Sequence, residues 1–292
     1  MIKEKINNDW GMTWKIDRQD LFDLPSSEFR NAIYENRLLV IKNVGNLTSK
    51  EIYYLMDKFG KPWNETQYIQ SQEKYEIDYH RDQKFVVTRF SNKTTKKIKS
   101  KEMPFHADIP NHPDKPFPHR FLYMNKQPSN LYGRTYWLNI DLDLLNLKNE
   151  ELNYYKDCNI IQQSWWEPGT NLQKLSFIKN HPIIQGRQSL RLNYYVLPQG
   201  QKDAWILECY HKDQKLDNRT FLGTIIDKLR SRPELMYTHT WDEGDMVIYD
   251  NWSFIHGRTP LVLQENEIRE FIRANIDHVS HDEFKNKDFF RL

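Results

Sequence analysis

The chain has 292 residues, with 42 Lys and Arg against 40 Asp and Glu, a formal net charge of +2. This near balance argues against a general nucleic-acid or membrane-surface role, and two cysteines, Cys158 and Cys209, are too few for a disulfide framework or a thiolate metal site. No apolar run approaches the roughly 18 residues of a spanning helix, and Met1 to Asn8 lacks the apolar core of a signal peptide, so a cytoplasmic protein folded as one domain over residues 1–292 is expected.

In chain order, Leu38 to Val44 has strand composition and ends at the turn residue Gly45. Thr48-Ser49-Lys50-Glu51 fits a capping box, and Ile52, Leu55, Met56 and Phe59 follow at helical spacing up to Gly60. Phe85 to Phe90 reads as a strand that enters a lysine-rich run. That run is either a solvated loop or, since it directly precedes His106, a lid over residues 91–103.

Strands are expected at Arg120–Asn125 and Gly133–Ile140, with a surface helix from Asp143 to Lys156. Further strands are expected at Asn159–Trp165, Ser189–Val196, Met236–Thr240, Asp245–Tyr249 and Glu270–His278, and a helix at Asn218–Leu229. Many strands, few helices and no strand-helix alternation predict a mainly β fold with flanking helices, a double-sheet jelly roll. Aromatic residues make up 14% of the chain, including nine tryptophans, which implies a large core or a pocket walled by rings.

Met103-Pro104-Phe105-His106-Ala107-Asp108 carries the densest chemistry. Residues i and i+2 of an extended segment share a face, so His106 and Asp108 supply an imidazole and a carboxylate side by side. A distant histidine would complete a facial metal site, and His256 is the natural candidate. Two neutral imidazoles and one carboxylate suit ferrous iron and leave coordination positions open for co-substrate and oxygen. The competing reading of the triplet is a surface turn, and of His256 a satisfied core histidine.

Four separated stretches, in this order, resemble the TauD/TfdA family of iron(II)- and 2-oxoglutarate-dependent dioxygenases: Met103–Asp108; Tyr132-Gly133-Arg134-Thr135; Trp241 to Asn251 with His256; and Arg269-Glu270-Phe271-Ile272-Arg273. The resemblance spans residues 35 to 278 and implies a double-stranded β-helix of the cupin-like kind. It implies that His106, Asp108 and His256 bind Fe(2+), that Thr135 and Arg269 hold the distal carboxylate of 2-oxoglutarate, and that Arg273 meets substrate or co-substrate. The implied reaction consumes O2 and 2-oxoglutarate, releases succinate and CO2, and hydroxylates an unactivated C–H bond of a small polar molecule such as an amino acid or derivative.

Retention of Asp108 favours hydroxylation over halogenation, because halogenating relatives carry a small residue there. Desaturation, cyclisation, or oxidative cleavage of a sulfonate or aryloxy acid are alternatives at the same centre; a catalytically inactive jelly-roll binding module is the alternative outside enzymes. Residue by residue, other roles stay open. Arg269 and Arg273 could pair with Glu265, Glu267 or Glu270 on a surface, Thr135 is ordinary in a β segment, and Asp250 and Asn251 could be turn residues or supports of the site. Arg258 is a second candidate for the carboxylate, and Tyr194, Tyr195 and Trp252 are candidates for the pocket mouth. The chain departs from the family at Tyr132-Gly133, where a glycine pair is common; its lysine-rich run and Trp165-Trp166 have no counterpart.

Overall fold

A computed structural model describes residues 1–62, 73–80, 83–92, 102–108, 119–128, 132–163, 172–192 and 206–276. Most of the lysine-rich run, together with Trp165, Trp166, Tyr194 and Tyr195, lies outside them.

An eight-stranded sheet runs in the spatial order Ile2–Lys5, Met12–Lys15, Leu38–Lys42, Met246–Asp250, His119–Lys126, Glu270–Ile276, Gln83–Ser91 and Glu73–His80. A four-stranded sheet runs in the order Met236–His239, Thr135–Asn139, Phe254–Arg258 and Met103–His106. All pairings in both are antiparallel except that of Met12–Lys15 with Leu38–Lys42. Neighbours distant in sequence, such as Met246–Asp250 between Leu38–Lys42 and His119–Lys126, are the mark of the jelly roll.

Side-chain alternation sorts the strand residues into three packed layers. Leu39, Ile41, Phe121, Tyr123, Met246 and Ile248 point outward under the helices Ser26–Asn36 and Ser49–Phe59, which bury Phe29, Ile33, Leu55 and Phe59 against them. Their neighbours Leu38, Val40, Leu122, Met124, Val247 and Tyr249 point inward and meet Trp137 and Phe254 of the smaller sheet. The outer face of that sheet, with Leu138 and Ile255, is covered in part by Leu222, Ile225 and Leu229 of the Asn218–Arg230 helix. The helix beginning at Ser49 carries the expected capping box: Thr48 N–H donates to Glu51 Oε2 at 2.7 Å and Glu51 N–H to Thr48 Oγ1 at 3.4 Å.

Where a single helix was expected over 143–156, two short ones form, Leu142–Leu145 and Asn149–Lys156. Asn146 takes a left-handed conformation (φ 48°) between them, which an asparagine accepts more readily than most residues. The predicted strand Ser189–Val196 is described only as Gln188–Leu190, and Glu270–His278 as Glu270–Ile276; the remainder of each falls partly or wholly outside the described residues. Among the described residues, no helix is long and apolar enough to cross a membrane.

Candidate metal centre

Met103–His106 lies at the edge of the smaller sheet beside Phe254–Arg258, and their register pairs His106 directly with His256. The two imidazole centroids stand 4.3 Å apart. Asp108, two residues past His106, reaches back to the same point: its Oδ1 lies 4.0 Å from His106 Nε2 and its Oδ2 3.6 Å from His256 Nε2. The three candidate ligand atoms all lie within 4.8 Å of one another. Atoms bound at about 2 Å to one ion are at most about 4 Å apart, so a small inward rotation of these side chains closes the set.

The Asp108 backbone is pinned by Asn251, whose Nδ2 donates to Asp108 O at 2.6 Å while its Oδ1 accepts from Asp108 N–H at 3.3 Å. Asn251 therefore supports the site and is not merely a turn residue. Asp250 anchors the turn after the Met246–Asp250 strand: it accepts from Trp252 N–H at 2.8 Å and Ser253 Oγ at 3.0 Å, and pairs with His181 at 2.9 Å and Arg187 at 3.2 Å.

The electrostatics prepare this trio for a cation. Burial opposes ionisation of Asp108, but the Arg120 and Arg273 guanidiniums beside it outweigh that and hold the carboxyl well below the usual range. Burial also pushes both imidazoles down, His256 to about 3, with His106 beside it adding to the effect. The set is thus two neutral nitrogen donors and one anionic oxygen donor, the pattern of a facial iron site. His106 Nδ1 lies 2.9 Å from Pro104 O, and a carbonyl only accepts; Nδ1 therefore carries the proton and Nε2 presents its lone pair inward.

Arg120 is the residue that motif reading missed. It is wholly buried, with Nε 3.4 Å from Asp108 Oδ2, and it shares the inward face of its strand with Leu122 and Met124. The available signal was a charged residue directly before the apolar run Phe121 to Met124. Arg273, expected to meet substrate or co-substrate, places Nη1 3.3 Å from Asp108 Oδ1 and its guanidinium 4.9 Å from the Phe90 ring centroid.

Arg269 serves a different spot. Buried just before the Glu270–Ile276 strand, it donates from Nη2 to Gly133 O at 2.8 Å and from Nε to Gln127 Oε1 at 3.2 Å. Gly133 is required there: its φ is +73°, and a Cβ would sit 2.8 Å from Leu261 and 3.2 Å from the Arg269 guanidinium carbon. Two residues on, Thr135 is buried, and its Oγ1 accepts from Trp241 Nε1 at 2.8 Å, which leaves its own hydroxyl proton to donate elsewhere. Arg258 pairs with Thr135 across the strands. Burial first, and then the Arg258 charge, push Arg269 down to about 9, so an anion between them would relieve both penalties.

Residues 4–275 match the family described as Taurine catabolism dioxygenase TauD, TfdA family. A comparison with curated proteins finds no match. Among solved structures, the chain is similar to a taurine dioxygenase from Burkholderia xenovorans, at 15% identity, 97% of this chain and 93% of that one covered, and a TM-score of 0.64. It is similar also to AAD-2 in complex with Mn(II) and N-oxalylglycine, at 14% identity, 96% and 98% coverage, and a TM-score of 0.63. At these identities the structures speak for the fold, whereas the family match, over nearly the whole chain, speaks for the chemistry: the protein belongs to the TauD/TfdA family of iron(II)-, 2-oxoglutarate- and O2-dependent dioxygenases.

Proposed function

We propose that His106, Asp108 and His256 are the iron ligands of a hydroxylase acting on a small polar substrate such as an amino acid or derivative. The observation that carries this reading is the convergence of two inward-facing imidazoles and one ionised carboxylate within 4.8 Å, from segments far apart in sequence. The bound iron and co-substrate supply the power to oxidise an unactivated C–H bond; the chain supplies binding, orientation and exclusion of water.

Arg269, with the Thr135 hydroxyl and Arg258 beside it, grips the distal carboxylate of 2-oxoglutarate. A guanidinium stays charged and forks onto a carboxylate, and its backbone anchor at Gly133 O fixes the fork in advance. Arg273, next to Asp108, faces substrate or co-substrate. A second reading, oxidative cleavage of an anionic substrate such as a sulfonate or aryloxy acid, is favoured by the two guanidiniums of Arg120 and Arg273 on the Asp108 carboxylate.

The test is an anaerobic titration with iron(II) and 2-oxoglutarate, followed by a screen for substrate-dependent succinate against amino acids, sulfonates and carrier-bound acids. A visible charge-transfer band that requires both additions supports the centre. Its absence, with no metal bound, would sink the reading.

A further inference from the structure

The histidine and the carboxylate of the proposed centre are linked by one side chain that no part of the reaction requires. Tyr249 ends its strand on the inward face, fully buried, with its ring 5.3 Å from that of His256 and packed edge-on against Trp137 at 5.6 Å. Its hydroxyl lies 3.2 Å from Asp108 Oδ2 and 3.5 Å from His256 Nδ1. A phenol has one proton to give. The carboxylate is nearer and charged, so the proton goes to Asp108, and the phenolic oxygen turns a lone pair toward His256. That oxygen can then only accept from the ring, which favours the tautomer with hydrogen on Nδ1 and a bare Nε2 on the side of Asp108 and His106.

Resting on the ligand assignment above, we propose that Tyr249 is a positioning residue that sets two ligands with one hydroxyl: it fixes the tautomer of His256 and the rotation of Asp108 together, through the chain His256 Nδ1–H to Tyr249 O–H to Asp108 Oδ2. His106 obtains the same tautomer from the Pro104 carbonyl, so both imidazoles present Nε2 toward Asp108. Oriented ligands are worth roughly ten- to a hundred-fold in metal affinity.

The experiment is a Mn(II) binding titration, read by loss of free-ion EPR signal, on the full chain, Tyr249→Phe and His256→Ala. Phe keeps the ring packing and removes only the hydroxyl. Tyr249→Phe is expected to bind Mn(II) about ten- to a hundred-fold more weakly while the metal-free melting temperature stays within a few degrees of the parent; His256→Ala should lose binding. Parent-like affinity in Tyr249→Phe, with binding lost in His256→Ala, overturns the proposal alone. Unchanged binding in His256→Ala overturns the ligand assignment beneath it. Should Tyr249→Phe not fold, nitrogen-15 correlation spectra of the metal-free parent decide: a His256 ring protonated on Nδ1 is the expected result, and one protonated on Nε2 refutes it.

Discussion

Single side chains here divide into those of the proposed metal and co-substrate sites and those whose burial works against their own charge. His106→Ala removes one of the three proposed ligands, so Mn(II) or iron binding and succinate formation should both vanish; turnover at the parent rate would remove His106 from the centre. Arg269→Ala should leave metal binding intact and raise the 2-oxoglutarate KM by about 10- to 100-fold, the worth of a hydrogen bond to a charged group at 1.5–3 kcal/mol. Lys179 is the strained case. It is buried, 4.8 Å from the Trp252 ring centroid, and burial first, then Arg191, push its ammonium down to about 7. The unfolded chain holds this proton up to about pH 10.4, so between pH 7 and 10 the unfolded state binds more protons and folding stability rises with pH, by at most about 1.4 kcal/mol per unit. Lys179→Met should flatten that rise in denaturant titrations; an unchanged slope would show that the amine stays charged.

At the scale of elements, local signals read true where local physics decides. Thr48 and Glu51 satisfy each other within four residues, so their helix start was legible; Thr48→Ala should cost about 1 kcal/mol, seen as a melting point lower by about 2 °C. The 143–156 segment shows the opposite, since apolar spacing alone does not reveal that Asn146 turns left-handed and splits it. The strand Met12–Lys15 and the helices Arg18–Asp23 and Ser26–Asn36 also escaped reading, because their buried residues pack on partners elsewhere in the chain, while Ile2–Lys5 is exposed throughout and shows no apolar alternation to read. Gly257, between His256 and Arg258, is a close-approach position: a Cβ would stand 2.3 Å from the Tyr136 ring and 2.6 Å from Met103 O. Gly257→Ala should therefore push the Phe254–Arg258 strand off Met103–His106, destabilise the fold by about 1–3 kcal/mol and weaken Mn(II) binding, because the strands that separate carry His256 and His106. Parent-like metal affinity in that variant would mean that the strand pair yields without moving its ligands.

For the molecule as a whole, three candidate ligands brought together by the pairing of two strands far apart in sequence couple metal binding to folding. Mn(II) at a hundred times its Kd should add about 2.7 kcal/mol to stability, visible as a raised melting temperature in the parent and absent in His256→Ala. Equal shifts in both proteins would place the metal elsewhere.

The sequence by itself determined the mainly β class, the capping-box helix, the ligand candidates His106, Asp108 and His256, and the family they resemble, because these rest on short-range periodicity and on motif order along the chain. Only the tertiary structure decided that Arg120 and Arg273 flank Asp108, that Arg269 turns to Gly133, and that Tyr249 stands between two ligand candidates. An inward-facing residue of a strand looks the same in sequence whatever it faces. Its partner is set by which strands lie side by side and by the register in which they pair, and in a jelly roll those neighbours are far apart along the chain.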